Sequence, residues 1–355
     1  MTDVLPERTG QRVAQVERPA ESGFSPAEWS LLAACWHPVA SSMELGEIGT
    51  DDAEPVRSVL LDIPLVVFRG ADGTPTVLTD RCPHRGARLS GGMLADGCVA
   101  CPYHGFVFDG AGRCVTVPSA PGTPAPRRMH LGPVPVAERF GLVWACLAPD
   151  ADGPGPLPPW EGLEDPSFQR AGCRPSLWAS SAQRHAENFN DQAHFPYIHA
   201  DTFGADDAAV PPLEVMALDR LLSLDVDMVQ WNRMTLDGPL EPIDVHYEYR
   251  WHLPFASWLR IEYPGQGTEL IADVAAPVHA DACRVYLLNA RDFHTDDPVD
   301  DWVEFQDRVN AEDREIVETL EPRGVPIDLT EEVHVRADAM SIAARRWFRA
   351  QLALR

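Results

Sequence analysis

The chain of 355 residues contains no lysine; all 29 of its basic residues are arginine. A lysine Schiff base with a carbonyl substrate or pyridoxal phosphate is therefore excluded, as is a Walker-A phosphate loop, because both need a side-chain amine. Positive charge is scarce overall. Against 54 Asp and Glu the net charge is −25, which argues against a nucleic-acid binder or an anionic-membrane partner, since either must neutralise phosphates. Long hydrophobic runs are missing too. No stretch approaches about 18 uninterrupted apolar residues, so no simple transmembrane helix is expected. The opening Met1-Thr2-Asp3-Val4-Leu5 lacks a basic segment followed by an apolar one, so we expect no signal peptide and a cytoplasmic protein. Eight cysteines are too few and too scattered for a disulfide framework, and in a reducing compartment those close to histidine read first as metal ligands.

The length exceeds the roughly 250–300 residues at which single cores stop growing, so two domains are expected. Residues 1–24 are polar and without period, and read as a flexible tail. Ser25-Pro26-Ala27-Glu28 has the pattern of a capping box with proline in the first turn, predicting a short helix to about Cys35. From Val56 to Val117, short apolar runs alternate with turns. Strands are expected at 56–61, 65–69, 76–78, 106–108 and 114–117, with hairpin turns at Ala71-Asp72-Gly73 and Asp109-Gly110-Ala111-Gly112. A small antiparallel β domain thus occupies 25–147. Residues 148–160 carry five prolines and two glycines, which suits a stiff linker. Over 161–355 the pattern is mixed, with helices near 182–195, 299–320 and 338–352 and strand-like runs between 213 and 291. The expected class is α+β: an N-terminal antiparallel β domain, then a C-terminal domain of helices and an antiparallel sheet.

Two short loops, Cys82-Pro83-His84 and Cys101-Pro102-Tyr103-His104, each offer one thiolate and one imidazole. Two Cys and two His can hold tetrahedral zinc. Common zinc fingers, however, pair Cys with Cys and His with His, whereas each loop here mixes them. A Rieske [2Fe–2S] centre needs two thiolates on one iron and two imidazoles on the other, and two mixed loops on a β scaffold supply that. Gly86, Gly91, Gly92 and Gly105 suit backbone packed closely around a cluster. Cys98 and Cys114 read as packing residues.

Farther on, Asn188, Asp191 and His194 recur at intervals of three, and His199 follows five residues later. Positions five apart on a continuous helix diverge by roughly 140°. Pro196 is therefore expected to break the helix and let His199 swing back toward His194. A 2-His-1-carboxylate iron site then needs a third ligand. The helix expected over 299–320 offers eight carboxylates. Its apolar stripe runs through Trp302, Phe305, Val309, Ile316 and Leu320, and only Asp313 falls near the centre, roughly 20° from Trp302, with Glu312 at the edge. A carboxylate there is costly unless an arginine or a metal meets it; ligation is the reading carried forward.

The run Cys82-Pro83-His84-Arg85-Gly86-Ala87 with Cys101-Pro102-Tyr103-His104-Gly105 resembles the cluster-binding motif of Rieske-type non-heme iron oxygenase large (alpha) subunits. Ala311 to Glu318 resembles the third-ligand helix of the phthalate-oxygenase and vanillate- or caffeine-demethylase group, with Asp313 in the ligand place. The likeness runs from Cys35-Trp36-His37-Pro38-Val39 to Asp338-Ala339-Met340-Ser341-Ile342 and Arg346-Trp347. It is weakest over 213–291, where that family builds its substrate pocket. There His246, Trp251, His252, Phe255 and Trp258 are candidates that buried core strands would explain equally well.

The resemblance implies a terminal oxygenase component. It implies a [2Fe–2S] cluster on Cys82, His84, Cys101 and His104, and mononuclear Fe(II) on His194, His199 and Asp313. O2 and two electrons, brought from NAD(P)H by a reductase or ferredoxin, would hydroxylate a small aromatic or alkaloid-like heterocyclic substrate, or demethylate it with loss of formaldehyde. It also implies that Asp191 is a bridging carboxylate of catalytic importance, linking an iron-ligating histidine to the cluster ligand His104 of a neighbouring subunit, and hence a homotrimer. An ordinary helix-surface charge is the plain alternative for Asp191. Arene cis-dihydroxylation and, in a different class, a Rieske electron carrier remain competing readings; the carrier would need no His194, His199 and Asp313. Between Arg81 and Arg139 seven arginines face three acidic residues, a local +4 that could steer an acidic electron donor, with Arg85 and Arg88 as candidates.

Overall fold

A computed structural model describes residues 16–47, 53–232, 236–238 and 240–355. The chain divides into two units, Met1–Leu157 and Pro158–Arg355. Of the tail expected over 1–24, residues 1–15 lie outside the described residues, and the rest is held in place. Arg18 donates to the carbonyls of Phe24 (2.8 Å) and Ser22 (2.9 Å), Ser22 Oγ donates to Asp62 (2.6 Å), and Phe24 is buried. One buried aromatic and one arginine that gathers carbonyls are enough to order this short segment.

Helix α1 (Pro26–Ala33) opens with the anticipated box: Ser25 Oγ accepts from the Glu28 N–H (3.2 Å), and the Ser25 N–H donates to Glu28 Oε2 (2.8 Å). Among the described residues ten strands follow in the first unit: β1 (His37–Ser41), β2 (Val56–Leu60), β3 (Ile63–Arg69), β4 (Pro75–Thr79), β5 (Met93–Ala95), β6 (Cys98–Ala100), β7 (Val107–Phe108), β8 (Cys114–Thr116), β9 (Val136–Arg139) and β10 (Leu142–Ala145). They form three antiparallel sheets, in the orders β1-β10-β9, β2-β3-β4 and β5-β6-β7-β8. The proline-rich stretch begins inside this unit rather than as a free linker. The Ala148 N–H donates to the Ala33 carbonyl (2.8 Å) and Trp36 Nε1 to the Gly155 carbonyl (2.7 Å).

The second unit is built on one large antiparallel sheet. Its strands are β11 (Gln169–Gly172), β12 (Ser176–Trp178), β13 (Met216–Leu218), β14 (Leu221–Trp231), β15 (Pro242–His252), β16 (Ala256–Tyr263), β17 (Gly267–His279) and β18 (Ala282–Arg291). The order is β11-β18-β17-β16-β15-β14-β13, with β12 also on β18. Alternation sets its two faces. On β15, Val245, Tyr247, Tyr249 and Trp251 point inward, while Glu248 and Arg250 on the other face join ion pairs with Arg260 and Asp225. Helices α2 (Ala182–Phe189), α3 (Phe195–Ile198), α4 (Asp300–Val317) and α5 (Ala339–Leu352) complete the unit, with α2 packed on β17 and α4.

Two helix expectations change. The helix foreseen over 182–195 stops at Phe189, so Pro196 breaks nothing; it sits in the first turn of α3, where a missing N–H costs little. On α4 the buried face is Trp302, Phe305, Gln306 and Val317, whereas Ile316 is exposed and Leu320 lies beyond the helix end.

Candidate functional site

In the first unit Cys82 and Cys101 are part of the hydrophobic core, packed with Phe68, Leu78, Phe106 and Phe108, while His84 and His104 stand exposed. The two loops turn alike. Gly86 and Gly105, each four residues after its cysteine, donate to the carbonyls of Cys82 (2.8 Å) and Cys101 (2.9 Å). Both adopt left-handed backbone, φ +77° and +70°, which a side chain would strain. The loops meet at their tips, with His84 Nδ1 and His104 Nδ1 3.2 Å apart. Sulfurs inside and imidazoles outside are the partition a Rieske centre requires. Burial raises the Cys82 thiol to about 11, with Cys101 adding to it and the backbone N–H groups of His84 and Arg85 opposing. A thiolate pair here therefore needs the positive charge of a metal. Desolvation, His104 and Arg85 all lower His84, favouring the neutral, ligating imidazole. Cys114 is buried in this core and Cys98 is half-buried, in keeping with packing roles.

In the second unit α2 ends at Asn190, whose Nδ2 donates to the Ala186 carbonyl and to Ser257 Oγ, both at 2.8 Å, tying the chain to β16. His194 immediately precedes the single turn of α3 and His199 immediately follows it. The chain then folds back at Gly204, whose N–H donates to the His199 carbonyl (2.8 Å). A Cβ at Gly204 would stand 2.0 Å from the Phe195 carbonyl oxygen, so only glycine fits. Convergence of the two histidines thus comes from a short helix with folded-back ends. Asp313 arrives from the inner face of α4.

Three atoms meet in a nearly equilateral triangle: His194 Nε2 to His199 Nε2 is 3.3 Å, His194 Nε2 to Asp313 Oδ1 is 3.3 Å, and His199 Nε2 to Asp313 Oδ1 is 3.2 Å. Adjacent oxygen or nitrogen ligands of an octahedral ion with bonds of about 2.1 Å lie about 3.0 Å apart, so the triangle fits one ion on a single face. Asp313 Oδ1 is buried without a hydrogen bond, as an oxygen reserved for a metal should be. No arginine pairs with Asp313 among the described residues, which removes the salt-bridge alternative. The outer ring nitrogens are fixed as well. His194 Nδ1 lies 3.1 Å from Asp191 Oδ2, and His199 Nδ1 lies 3.0 Å from Glu312 Oε2. Carboxylates there hold each proton on Nδ1 and turn the Nε2 lone pairs inward. Burial opposes charge at all three inner residues, yet the carboxylates of Asp191 and Asp313 beside it raise His194 to about 9, and the two imidazoles hold Asp313 well below the usual carboxylate range. Such a site is built for a cation.

Sequence reasoning left Glu312 at the edge of the helix. It accepts from His199, from Thr202 Oγ1 (2.9 Å) and from Arg308 Nε (2.9 Å). The only sequence signal was its place beside Asp313. Glu312→Gln is expected to weaken Fe(II) binding by about 10- to 100-fold without touching the cluster. Chelator competition measures this, and an unchanged affinity would count against the role.

The triangle faces a cleft whose walls are mostly apolar. Its lining includes Phe189, Phe195, Phe203, Tyr247, Tyr249, Leu259, Ile261, Leu287 and Phe305. His246, Trp251, His252, Phe255 and Trp258 are not among the lining residues. His246 and Trp258 fall at the wrong parity on β15 and β16, and Phe255 packs on Phe348 of α5.

A Rieske [2Fe-2S] domain is matched over residues 35–128, and a vanillate O-demethylase oxygenase C-terminal domain over 178–354. The methylxanthine N1-demethylase NdmA of Pseudomonas putida is 31% identical over 322 residues, covering 88% of this chain and 87% of that protein. The oxygenase component of dicamba O-demethylase from Stenotrophomonas maltophilia is 30% identical over 312 residues, 81% of this chain and 87% of the relative. The solved structure of Pseudomonas putida CBB5 NdmA with caffeine superposes with a TM-score of 0.79 at 30% identity, over 91% of this chain and 92% of the other. Fold and sites together define an iron-dependent oxygenase with two metal centres. The chain belongs to the Rieske non-heme iron oxygenases, with the C-terminal domain of the vanillate O-demethylase group. It carries a [2Fe–2S] cluster and a mononuclear iron, and it works with a substrate, O2 and an electron-transfer partner. Among the described residues no helix is long and apolar enough to cross a membrane.

Proposed function

We propose that this chain removes a methyl group, as formaldehyde, from a small aromatic or heterocyclic substrate. In this reading His194, His199 and Asp313 hold the iron, and Cys82, His84, Cys101 and His104 hold the cluster. The observation that carries it is the triangle of two Nε2 atoms and Asp313 Oδ1 facing a largely apolar cleft. The methylxanthine and dicamba demethylases among the relatives favour demethylation over other oxygenations. Bound iron supplies O2 activation. The chain's own part is to orient both imidazoles through Asp191 and Glu312, to leave one face of the triangle open, and to exclude water with Phe195, Phe203 and Phe305.

Asp191 serves as the bridge from His194 to His104 of a neighbouring subunit in a homotrimer. Its carboxylate is on His194 Nδ1 yet retains 28% side-chain exposure, and His104 is itself exposed. Electrons come from NAD(P)H through a reductase or ferredoxin that meets the exposed Arg85 and Arg88, in the cytoplasm.

The test is turnover of the reduced holoenzyme with N- and O-methylated aromatics and heterocycles. One formaldehyde should form per O2 consumed, and cluster reduction by an acidic ferredoxin should slow as ionic strength rises. Products that keep the methyl group and gain ring hydroxyls would sink the demethylase reading.

A further inference from the structure

Glu269 on β17 is a buried carboxylate that neither metal centre uses. It is 2% exposed and lines the cleft that holds the histidine–aspartate triangle. Three neutral donors hold it: Tyr263 Oη reaches Oε2 (3.0 Å), and Trp302 Nε1 (3.0 Å) and Gln306 Nε2 (3.1 Å) reach Oε1. Among the described residues no cation forms an ion pair with it. Arg291 is near enough for its charge to be felt, but its guanidinium donates to Gln169 Oε1 (2.9 Å) and the His294 carbonyl (3.1 Å) and lies over the Trp302 ring. A carboxylate has about four acceptor positions, so one on Oε2 is left over. Burial pushes the Glu269 carboxyl up despite its donors and Arg291, as befits a charge that lacks a full partner, and the remaining place for one is the cleft.

The geometry sets a length. Gln306, which touches Glu269, lies two helical turns before Asp313 on the same face of α4, so about 10 Å along the helix axis separates the two ends. That is the span of a one- or two-ring molecule with short substituents. The metal end does not invite an anion either. The two charges of a ferrous ion meet three carboxylates, Asp313, Asp191 and Glu312, so 2 − 3 = −1. Arg308 offsets Glu312 only from an exposed position, and no arginine lines the cleft among the described residues.

We propose that Glu269 anchors the substrate: the cleft takes a ring compound whose methyl end faces His194, His199 and Asp313 and whose far end gives Glu269 an N–H donor or a protonated amine. Aromatic carboxylates are disfavoured. This rests on the reading of the cleft as the site of demethylation, and it narrows the substrate to neutral N–H-bearing or cationic molecules. Glu269 is a specificity residue, remote from the reacting atoms.

Three probes of one size and different charge test it: a methoxybenzylamine, the matching methoxybenzamide and the matching methoxybenzoate. Each is titrated by calorimetry into the full-length holoenzyme without O2, for wild type and for Glu269→Gln. Wild type should bind the amine and the amide at least about tenfold more tightly than the benzoate, the size of one charge-assisted hydrogen bond. Glu269→Gln should shrink that gap to about threefold or less, and in turnover its loss should fall on KM more than on kcat. A benzoate bound as well as the amide by wild type overturns the proposal without recourse to any variant, as does a gap that Glu269→Gln leaves unchanged. Binding in the expected charge order with no formaldehyde on admitting O2 and electrons would refute the demethylase reading while the anchor stands. Formaldehyde from all three at equal affinity would do the reverse.

Discussion

Asp313→Ala is expected to empty the mononuclear site and lower substrate oxidation by at least about a thousandfold, since two histidines alone hold iron weakly and the metal supplies the chemistry. The cluster should be untouched, because Cys82, His84, Cys101 and His104, proposed to hold it, all lie in the other unit. Iron content should fall from about three to about two atoms per chain, with the visible spectrum of the [2Fe–2S] centre preserved. A helical content equal to wild type excludes general unfolding. The physical ground is that Asp313 closes a triangle with sides of 3.2 and 3.3 Å whose oxygen has no other partner. Full iron occupancy in the variant would show that another carboxylate supplies the third ligand.

Asp191→Ala should behave differently. Both centres are expected to load, yet turnover should drop by at least about a hundredfold if Asp191 orients His194 and joins two redox sites as proposed. Asp191 makes no contact with the metal triangle itself; it touches His194 only through the outer nitrogen, at 3.1 Å. Rapid mixing separates two roles. If Asp191 only orients His194, iron affinity falls and the cluster still discharges at its normal rate in molecules that hold iron. If it bridges subunits, affinity is nearly kept and the reduced cluster fails to reoxidise with substrate and O2 present. Undiminished turnover would dispose of both.

How far residue order alone reaches can be seen at each proposed ligand. The Cys–His loops could be read at once, because each places its donors within four residues and ends in a glycine that the turn requires. His194 and His199 were legible as a pair, but the reason for their convergence was not. Proline suggested a broken helix, whereas the chain leaves α2 at Asn190 and brackets a fresh turn with the two rings. Asp313 was singled out by helical phase even though Ile316 and Leu320, two members of the stripe used to choose it, turn out to be exposed. Trp302 and Phe305, at the buried end of the helix, carried enough of the phase.

By itself the order of residues determined which side chains are offered as candidate metal ligands, the two-domain plan and the antiparallel character of the sheets, since these follow from short-range spacing, turn residues and period-two patterning. Tertiary structure alone decided which groups surround the iron ligands. Glu312 meets His199 across 113 residues of chain, and Glu269 collects its donors from β16 and α4. No local periodicity encodes such meetings; they arise when a helix closes over a sheet and burial obliges every polar atom to find a partner.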